Sequence, residues 1–212
     1  QELGSIGSWE LDVNRNKLIW SGENYRVFGL PEGTDLSYEI FLSCVHPEDR
    51  DYVDRKWTAA MNNEPYDIEH RLLVHGKVKW VREKAELEFD SGGNCTFGIG
   101  FTQDITERKQ TEKALIESES ILKNIVDNSS TVIFLKDLNG KYIRINRRYE
   151  ELFHITNDEI FGKTDFDIFP EHVAREARKV DKNVLKAGGT ISVEEKVPHD
   201  DGMHTYISVK FP

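Results

Sequence analysis

Two cysteines among 212 residues, Cys44 and Cys95, are too few for a disulfide framework. That excludes a stapled secreted scaffold and suits a reducing compartment such as the cytoplasm. Long apolar runs are missing: none approaches the length of a membrane span, and no signal peptide is visible. Positive charge is scarce too, with 28 Lys and Arg against 38 Asp and Glu and a formal net charge of −10. Nucleic-acid binders leave a basic footprint, and electrostatic attachment to anionic lipid needs one as well. Neither nucleic acid nor direct membrane contact is expected, and the acidic surface reads as an aid to solubility. Catalytic and metal spacings are equally absent. His199 and His204 have no nearby Cys to complete a zinc set. There is no Ser-His-Asp ordering, P-loop or Gly-rich nucleotide loop. Enzyme activity is not expected. The chain begins at Gln1 without Met and reads as an excerpt of a longer protein.

What the chain has is a repeat. Asp12 and Asp137 open similar turns, Pro47-Glu48 and Pro170-Glu171 open similar helices, and Arg71 and Lys196 follow similar strand residues. Gly76 precedes Trp80 by four residues, as Gly202 precedes Tyr206. The pairs 12/137, 47/170, 71/196 and 80/206 are 125, 123, 125 and 126 residues apart. Such agreement means two copies of one domain rather than a short-period solenoid. Four Trp and eleven Phe supply two modest cores.

In the first copy, 9–13 and 17–20 read as a hairpin, followed by a helix over 24–28 that Gly29 and Pro31 stop. Residues 38–45 are apolar at helical spacing, and Pro47 opens a helix to about 62. Strands are predicted at 66–74, 78–89 and 95–102. Late strands after a helical block point to an α+β fold, an antiparallel sheet with its helices on one face. The second copy repeats this with strands at 131–136, 141–146, 191–197 and 203–211 and helices at 147–153, 158–161 and 170–187. The counterpart of strand 95–102 falls beyond Pro212, so the second copy lacks its last strand. The expected organisation is 1–106, a linker helix 107–129, and 130–212.

The linker has neither Gly nor Pro between 105 and 128 and is rich in helix formers. Leu115, Leu122 and Ile125 fall on one stripe with Thr111 and Ser118. This is either an amphipathic helix packing on its own domain or a helix that pairs with its twin in a second chain. The charged flanks suit a short two-stranded coil and so a homodimer.

The segments Trp9-Glu-Leu-Asp, Tyr25-Arg-Val-Phe-Gly-Leu, Phe41-Leu-Ser-Cys-Val-His-Pro-Glu-Asp-Arg50, Glu69-His-Arg71 and Gln103-Asp-Ile-Thr-Glu-Arg-Lys109 resemble a PAS domain of the PAC-containing subclass in bacterial sensor kinases. The second copy resembles another PAS branch through Lys136-Asp-Leu-Asn-Gly-Lys-Tyr, Gly162-Lys-Thr-Asp-Phe-Asp-Ile-Phe-Pro170 and Val197-Pro-His-Asp-Asp-Gly202. The resemblance implies five-stranded antiparallel sheets in spatial order 2-1-5-4-3, so the strand missing from the second copy is the central one. Two edges would then stand unpaired, which points to a shortened chain rather than a natural end.

The same resemblance frames the chemistry. The Gly93-Asn94-Cys95-Thr96-Phe97 string is similar to the flavin-attacking motif of light-sensing PAS domains, but there the Cys sits in a helix and here it opens a strand. Asn146-Arg147-Arg148 opens an early helix rather than a flavin-binding turn. The haem-ligand position in the long helix corresponds to Ala177, and His172 lies in the first turn. His46 before Pro47 suits a helix start. No cofactor is therefore expected.

Ile68, His70 and Leu72 share the strand parity of Tyr66 and should face inward. With Phe97, Ile99 and Phe101 they make the candidate ligand pocket. His70 is either a core histidine bonded to a backbone carbonyl, the commoner case, or a polar contact to a small ligand. Asp104 and Thr106 begin the outgoing helix, and Asp104 is expected to cap it and pair with Arg82 or Lys84. The resemblance implies a sensory and relay module of a two-component-type protein. A kinase or other output domain would lie elsewhere in its parent, and a small molecule or the coiled-coil linker would carry the state. The alternative is a ligand-free dimerisation spacer.

Overall fold

The computed structural model describes residues 5–212. They fall into two compact units that divide between Ile116 and Glu117.

Unit one opens with the antiparallel strands β1 (Ile6–Asp12) and β2 (Lys17–Trp20). Ser21 then caps α1 (Gly22–Phe28) by accepting from Asn24 N at 3.3 Å. Ser37 does the same for α2 (Tyr38–Cys44), accepting from Ile40 N at 3.2 Å. His46 precedes a 3-10 turn, Pro47–Asp49, and its Nδ1 accepts from Glu48 N at 3.4 Å, so it stands at a helix start. The helix α3 (Arg50–Ala60) follows, so what the sequence suggests as one helix from Pro47 is a 3-10 turn running into a helix.

Three long strands complete the sheet: β3 (Tyr66–Val74), β4 (Lys77–Phe89) and β5 (Cys95–Asp104). The order is β2-β1-β5-β4-β3, antiparallel throughout. Alternate side chains on each strand face the helices. On β3 the inward row is Tyr66, Ile68, His70, Leu72 and Val74, and on β4 it includes Val81 and Glu83. These close on Trp9, Trp20, Val27, Phe28, Val45 and Val53 to form the core.

The helix α4 (Thr106–Asp127) leaves from the end of β5. Unit two then has β6 (Phe134–Lys136), β7 (Tyr142–Ile145), α5 (Arg147–Phe153), α6 (Asn157–Ile160), α7 (Asp165–Ile168), α8 (Glu171–Ala187), β8 (Ile191–His199) and β9 (Gly202–Lys210). The helix α7 has no counterpart in the sequence reading. It starts on a capping box between Thr164 and Asp167. β6 pairs with β7 and β8 with β9, as two separate antiparallel hairpins. Among the described residues no central strand joins them. Buried Tyr142, Ile145, Tyr149 and Ile160 form this unit's core.

Candidate functional site

Between the sheet of unit one and its helices lies a cavity of about 240 Å³. Its walls come from β1 and β2 (Trp9, Leu11, Leu18, Trp20), α1 (Asn24), α2 (Tyr38, Phe41), α3 (Trp57) and the strands opposite (Tyr66, Glu83). The rings brace one another. Trp57 meets Trp9 edge-on at 5.9 Å between centroids, meets Tyr66 edge-on at 5.3 Å, and stacks with Tyr38 at 6.2 Å. Trp9 can lie across the sheet because its neighbour on β5 is Gly100. A Cβ there would strike the Trp9 ring and the Lys84 carbonyl.

The floor is polar. Glu83 sits almost fully buried on β4, in phase with Val81, Ala85 and Leu87. Tyr66 donates its hydroxyl to Glu83 Oε2 at 3.1 Å, and Thr102 donates to Oε1 at 3.1 Å. His70 Nε2 stands 3.3 Å from Oε2, close enough to pair electrostatically but off the line of a good hydrogen bond. Its Nδ1 lies 3.4 Å from the Arg71 carbonyl. Burial pulls the His70 pKa down, but Glu83, the Arg71 carbonyl and Asp49 outweigh it, and the net shift is upward. Burial and then Glu83 hold the Tyr66 phenol well above its ordinary range, so it stays a donor.

Ile68, His70 and Leu72 all face the interior, but none of them lines the cavity, and His70 is linked to it only through Glu83. Phe97, Ile99 and Phe101 do not. The inward row of β5 is Gly98, Gly100 and Thr102, which puts the larger apolar residues on the outer face, with Ile99 46% exposed. The reason is steric: β5 gives its inward positions to glycine so that the Trp9 ring and the Leu87 side chain can fill the space above them. Cys95, at the start of β5, is buried with a free thiol. None of the residues that line the cavity was read from the sequence as a site residue, Trp9, Asn24, Tyr38, Trp57 and Glu83 among them. Only Glu83 left a signal, a carboxylate in phase with Val81, Ala85 and Leu87.

The start of α4 is tied to the sheet at several points. Asp104 Oδ1 accepts from Thr106 N at 3.0 Å and from Thr106 Oγ1 at 2.6 Å. Thr106 Oγ1 in turn accepts from Trp80 N at 3.0 Å, and Ile105 N donates to the Trp80 carbonyl at 2.8 Å. Arg82 is not the partner of Asp104, and neither is Lys84. Arg82 forms a fork with Asp67 (2.8 and 2.6 Å), while Asp104 faces Lys79 at 3.5 Å. Arg82 and Lys84 do not serve because Asp67, on the adjacent strand, takes the Nε and one terminal nitrogen of Arg82, and Lys84 lies opposite Phe101, away from the strand end. A second tie escaped the sequence reading. Glu69 on β3 binds both Arg108 and Lys109 of α4, the latter at 2.6 Å. Trp80 lies between two cations, Arg71 at 5.9 Å and Lys109 at 5.3 Å from the ring centroid. Arg71 is held from the other side by Asp49 at 2.6 Å, and that contact lowers the Asp49 pKa.

A five-stranded 2-1-5-4-3 sheet with a cavity under its helices and a helix leaving its last strand is a recognisable arrangement, and comparison with known proteins decides its family. Residues 17–102 match one PAS-fold family and residues 126–212 match a second. The chain is two PAS domains in tandem.

Neither matched PAS domain is a catalytic one. Among curated relatives, the chain is 27% identical to the sensor protein FixL of Bradyrhizobium diazoefficiens over 78% of its length, covering 33% of that protein. It is 32% identical to a blue-light-activated histidine kinase of Brucella ovis over 56% of its length, covering 24% of that protein. It is 24% identical to a probable diguanylate cyclase, DgcE, of Escherichia coli over 76% of its length, covering 15% of that protein. The chain thus spans a third or less of these relatives. A solved sensory box histidine kinase/response regulator structure from Burkholderia thailandensis superposes with a TM-score of 0.49 at 25% identity, over 57% of this chain and 92% of that one. No helix among the described residues is long and apolar enough to cross a membrane.

The second PAS domain carries a largely buried charge network beside its apolar core. Lys136 Nζ binds Asp165 at 2.7 and 2.6 Å and Asp181 at 3.2 Å. Tyr142 donates to Asp165 at 2.8 Å, and Tyr149 to the Tyr142 oxygen at 3.1 Å. Lys210 on β9 bridges Asp181 and Glu195 at 3.2 and 2.7 Å. Burial raises the pKa of both tyrosines, so the two phenols stay protonated and donate.

Proposed function

We propose that this chain is the sensory and relay part of a two-component-type signalling protein. The first PAS domain binds a small molecule in its cavity, and the state leaves through α4. The observation that carries this is the cavity itself, an aromatic enclosure with a buried Glu83 at its floor and an unsatisfied Asn24 amide in its wall. The two ties at the head of α4 give a route. Glu83 touches His70, its strand neighbours Glu69 and Arg71 point to the opposite face, and these grip Lys109 and Trp80. A rearranged floor would shift β3 and β4 against α4, where Asp104 and Thr106 anchor the helix start. The first domain is the better sensor, because the second uses its equivalent interior for the Lys136–Asp165 network. Relatives named as sensor and kinase favour a kinase as output, and DgcE leaves a cyclase as the other possibility.

A homodimer through α4 is the second part of the proposal. Leu115, Leu122 and Ile125 are 58%, 60% and 64% exposed within the chain, on one stripe of a 22-residue helix. That stripe also favours the rival reading, a spacer that dimerises without any ligand. Native mass spectrometry of the gently purified protein separates them. A stoichiometric small-molecule adduct supports sensing, and a bare chain mass from every expression host favours the spacer.

A further inference from the structure

We infer that the second PAS domain conducts the state of α4 along a continuous line of buried polar side chains, taken up by Asn146 at the end of that helix and delivered by Lys210 to the β8–β9 hairpin. The inference rests on the relay reading above and names what receives the signal.

The line starts where α4 ends. Asn146 is 0% exposed and uses its whole amide. Its Oδ1 accepts from Ile133 N at 2.9 Å and from Tyr149 N at 3.1 Å, the second bond capping α5. Its Nδ2 donates to the Val126 carbonyl in the last turn of α4 at 3.0 Å and to the Thr131 carbonyl at 2.9 Å. The first domain shows what this adds. Ser21 stands 125 residues earlier, at the same place between the hairpin and the next helix. Its Oγ accepts from Ser8 N and Asn24 N, the counterparts of the two bonds to Asn146 Oδ1. A hydroxyl therefore suffices as the cap. The amide brings two further donors, and one of them holds the incoming helix.

From Asn146 the line runs on through α5. Tyr149, whose backbone amide Asn146 holds, donates its hydroxyl to the Tyr142 oxygen, and Tyr142 donates to Asp165. Lys136 joins Asp165 to Asp181, and Lys210 joins Asp181 to Glu195. The two lysine side chains are 8% and 9% exposed, so water offers them few other partners. Both reach Asp181 at 3.2 Å. That shared carboxylate gives the network two arrangements, closer to Lys136 or closer to Lys210. Both ammonium groups also lie against the Phe134 ring, 5.2 and 5.7 Å from its centroid, so they move against one surface. In a buried network the strength of one bond depends on the next. A shift of the last turn of α4 pulls on Asn146, moves Tyr149 with the head of α5, and reaches Asp181 through Tyr142, Asp165 and Lys136.

The test is amide exchange of the whole chain at both ends of the line, residues 124–128 and residues 203–209, with α6 of the same domain as reference. Asn146→Ser keeps the kind of cap that Ser21 provides and removes the amide donors. Lys210→Gln loosens the far end. Each change should speed exchange at its own end and also at the opposite end, the distant effect being about 2–30-fold. Tyr149→Phe removes one hydroxyl midway, and in that background each change should act at its own end alone. A distant effect that is missing, that survives Tyr149→Phe, or that α6 shows equally would overturn the inference and leave a network that only stabilises the domain. Lys210→Gln with and without Tyr149→Phe decides the matter even if Asn146→Ser does not fold. Glu83→Gln separates the two levels. Coupling inside the second domain, with no response of residues 106–111 to Glu83→Gln, drops the relay reading and keeps the line. A response of 106–111 without coupling in the second domain drops the line alone.

Discussion

Replacing Glu83→Gln should reverse the pH dependence that His70 gives to the first PAS domain. In the wild type the folded-state pKa of His70 is raised above its ordinary 6.5, because Glu83 and its other partners outweigh burial. The native state therefore holds its proton longer than the unfolded state. Its contribution to stability is full below pH 6.5 and is lost as pH climbs through the raised value. One proton sets the steepest slope at about 1.4 kcal/mol per pH unit. With glutamine at 83 the Glu83 attraction is gone and burial dominates, so the folded pKa should drop below the unfolded one. The variant should then lose stability as pH falls from about 7 to 5.5, where the wild type holds its own. Removing one member of a buried pair also costs about 3–5 kcal/mol overall. All four tryptophans, Trp9, Trp20, Trp57 and Trp80, belong to the first domain. Urea unfolding followed by their fluorescence between pH 5.5 and 8.5 therefore isolates it. Parallel pH profiles for wild type and variant would refute the reasoning, since the remaining histidines contribute equally to both.

The other predictions use the same separation of the two domains. Lys136→Met should destabilise the second PAS domain by about 3–5 kcal/mol, because Asp165 stays buried without its cation. The circular dichroism transition should shift while the tryptophan transition stays in place, and a shift in both would show that the network is not local. Leu115→Asp with Leu122→Asp should turn a dimer into monomers in analytical ultracentrifugation, since burying each leucine contributes about 1.5–3 kcal/mol. Unchanged mass would move the seam elsewhere, with the outer-face residues Phe97, Ile99 and Phe101 the next surface to mutate.

The sheet was legible because alternation is a strong signal wherever the inward row is apolar. Tyr66, Ile68, His70 and Leu72 announce their side of β3 in this way. On β5 the same logic fails. Glycines face inward there to admit the Trp9 ring from the next strand, so the apolar residues mark the wrong face. Glu83 is hidden by its charge, which suggests a surface position until its three partners are seen around it. The Asp104 cap could be read from its place before Thr106. Its cation could not, because Arg82 finds Asp67 first and leaves Asp104 to Lys79. The Lys136 network joins residues 136, 165, 181, 195 and 210, and no local pattern brings such distant positions together.

On the proposed relay, the cavity floor and the head of α4 are coupled through Glu69. A double-mutant cycle read by hydrogen exchange tests it most directly. Amide exchange over residues 106–111 is measured in the wild type, Glu83→Gln, Glu69→Gln and the double variant, with the strands β1 and β2 as internal reference. Glu69→Gln weakens the grip on Arg108 and Lys109 without touching the cavity. Coupled sites should give a non-additive term of about 0.5–2 kcal/mol in the opening free energy of that turn. Effects that add to within about 0.3–0.5 kcal/mol would contradict the coupling and mean that the cavity and the helix respond independently.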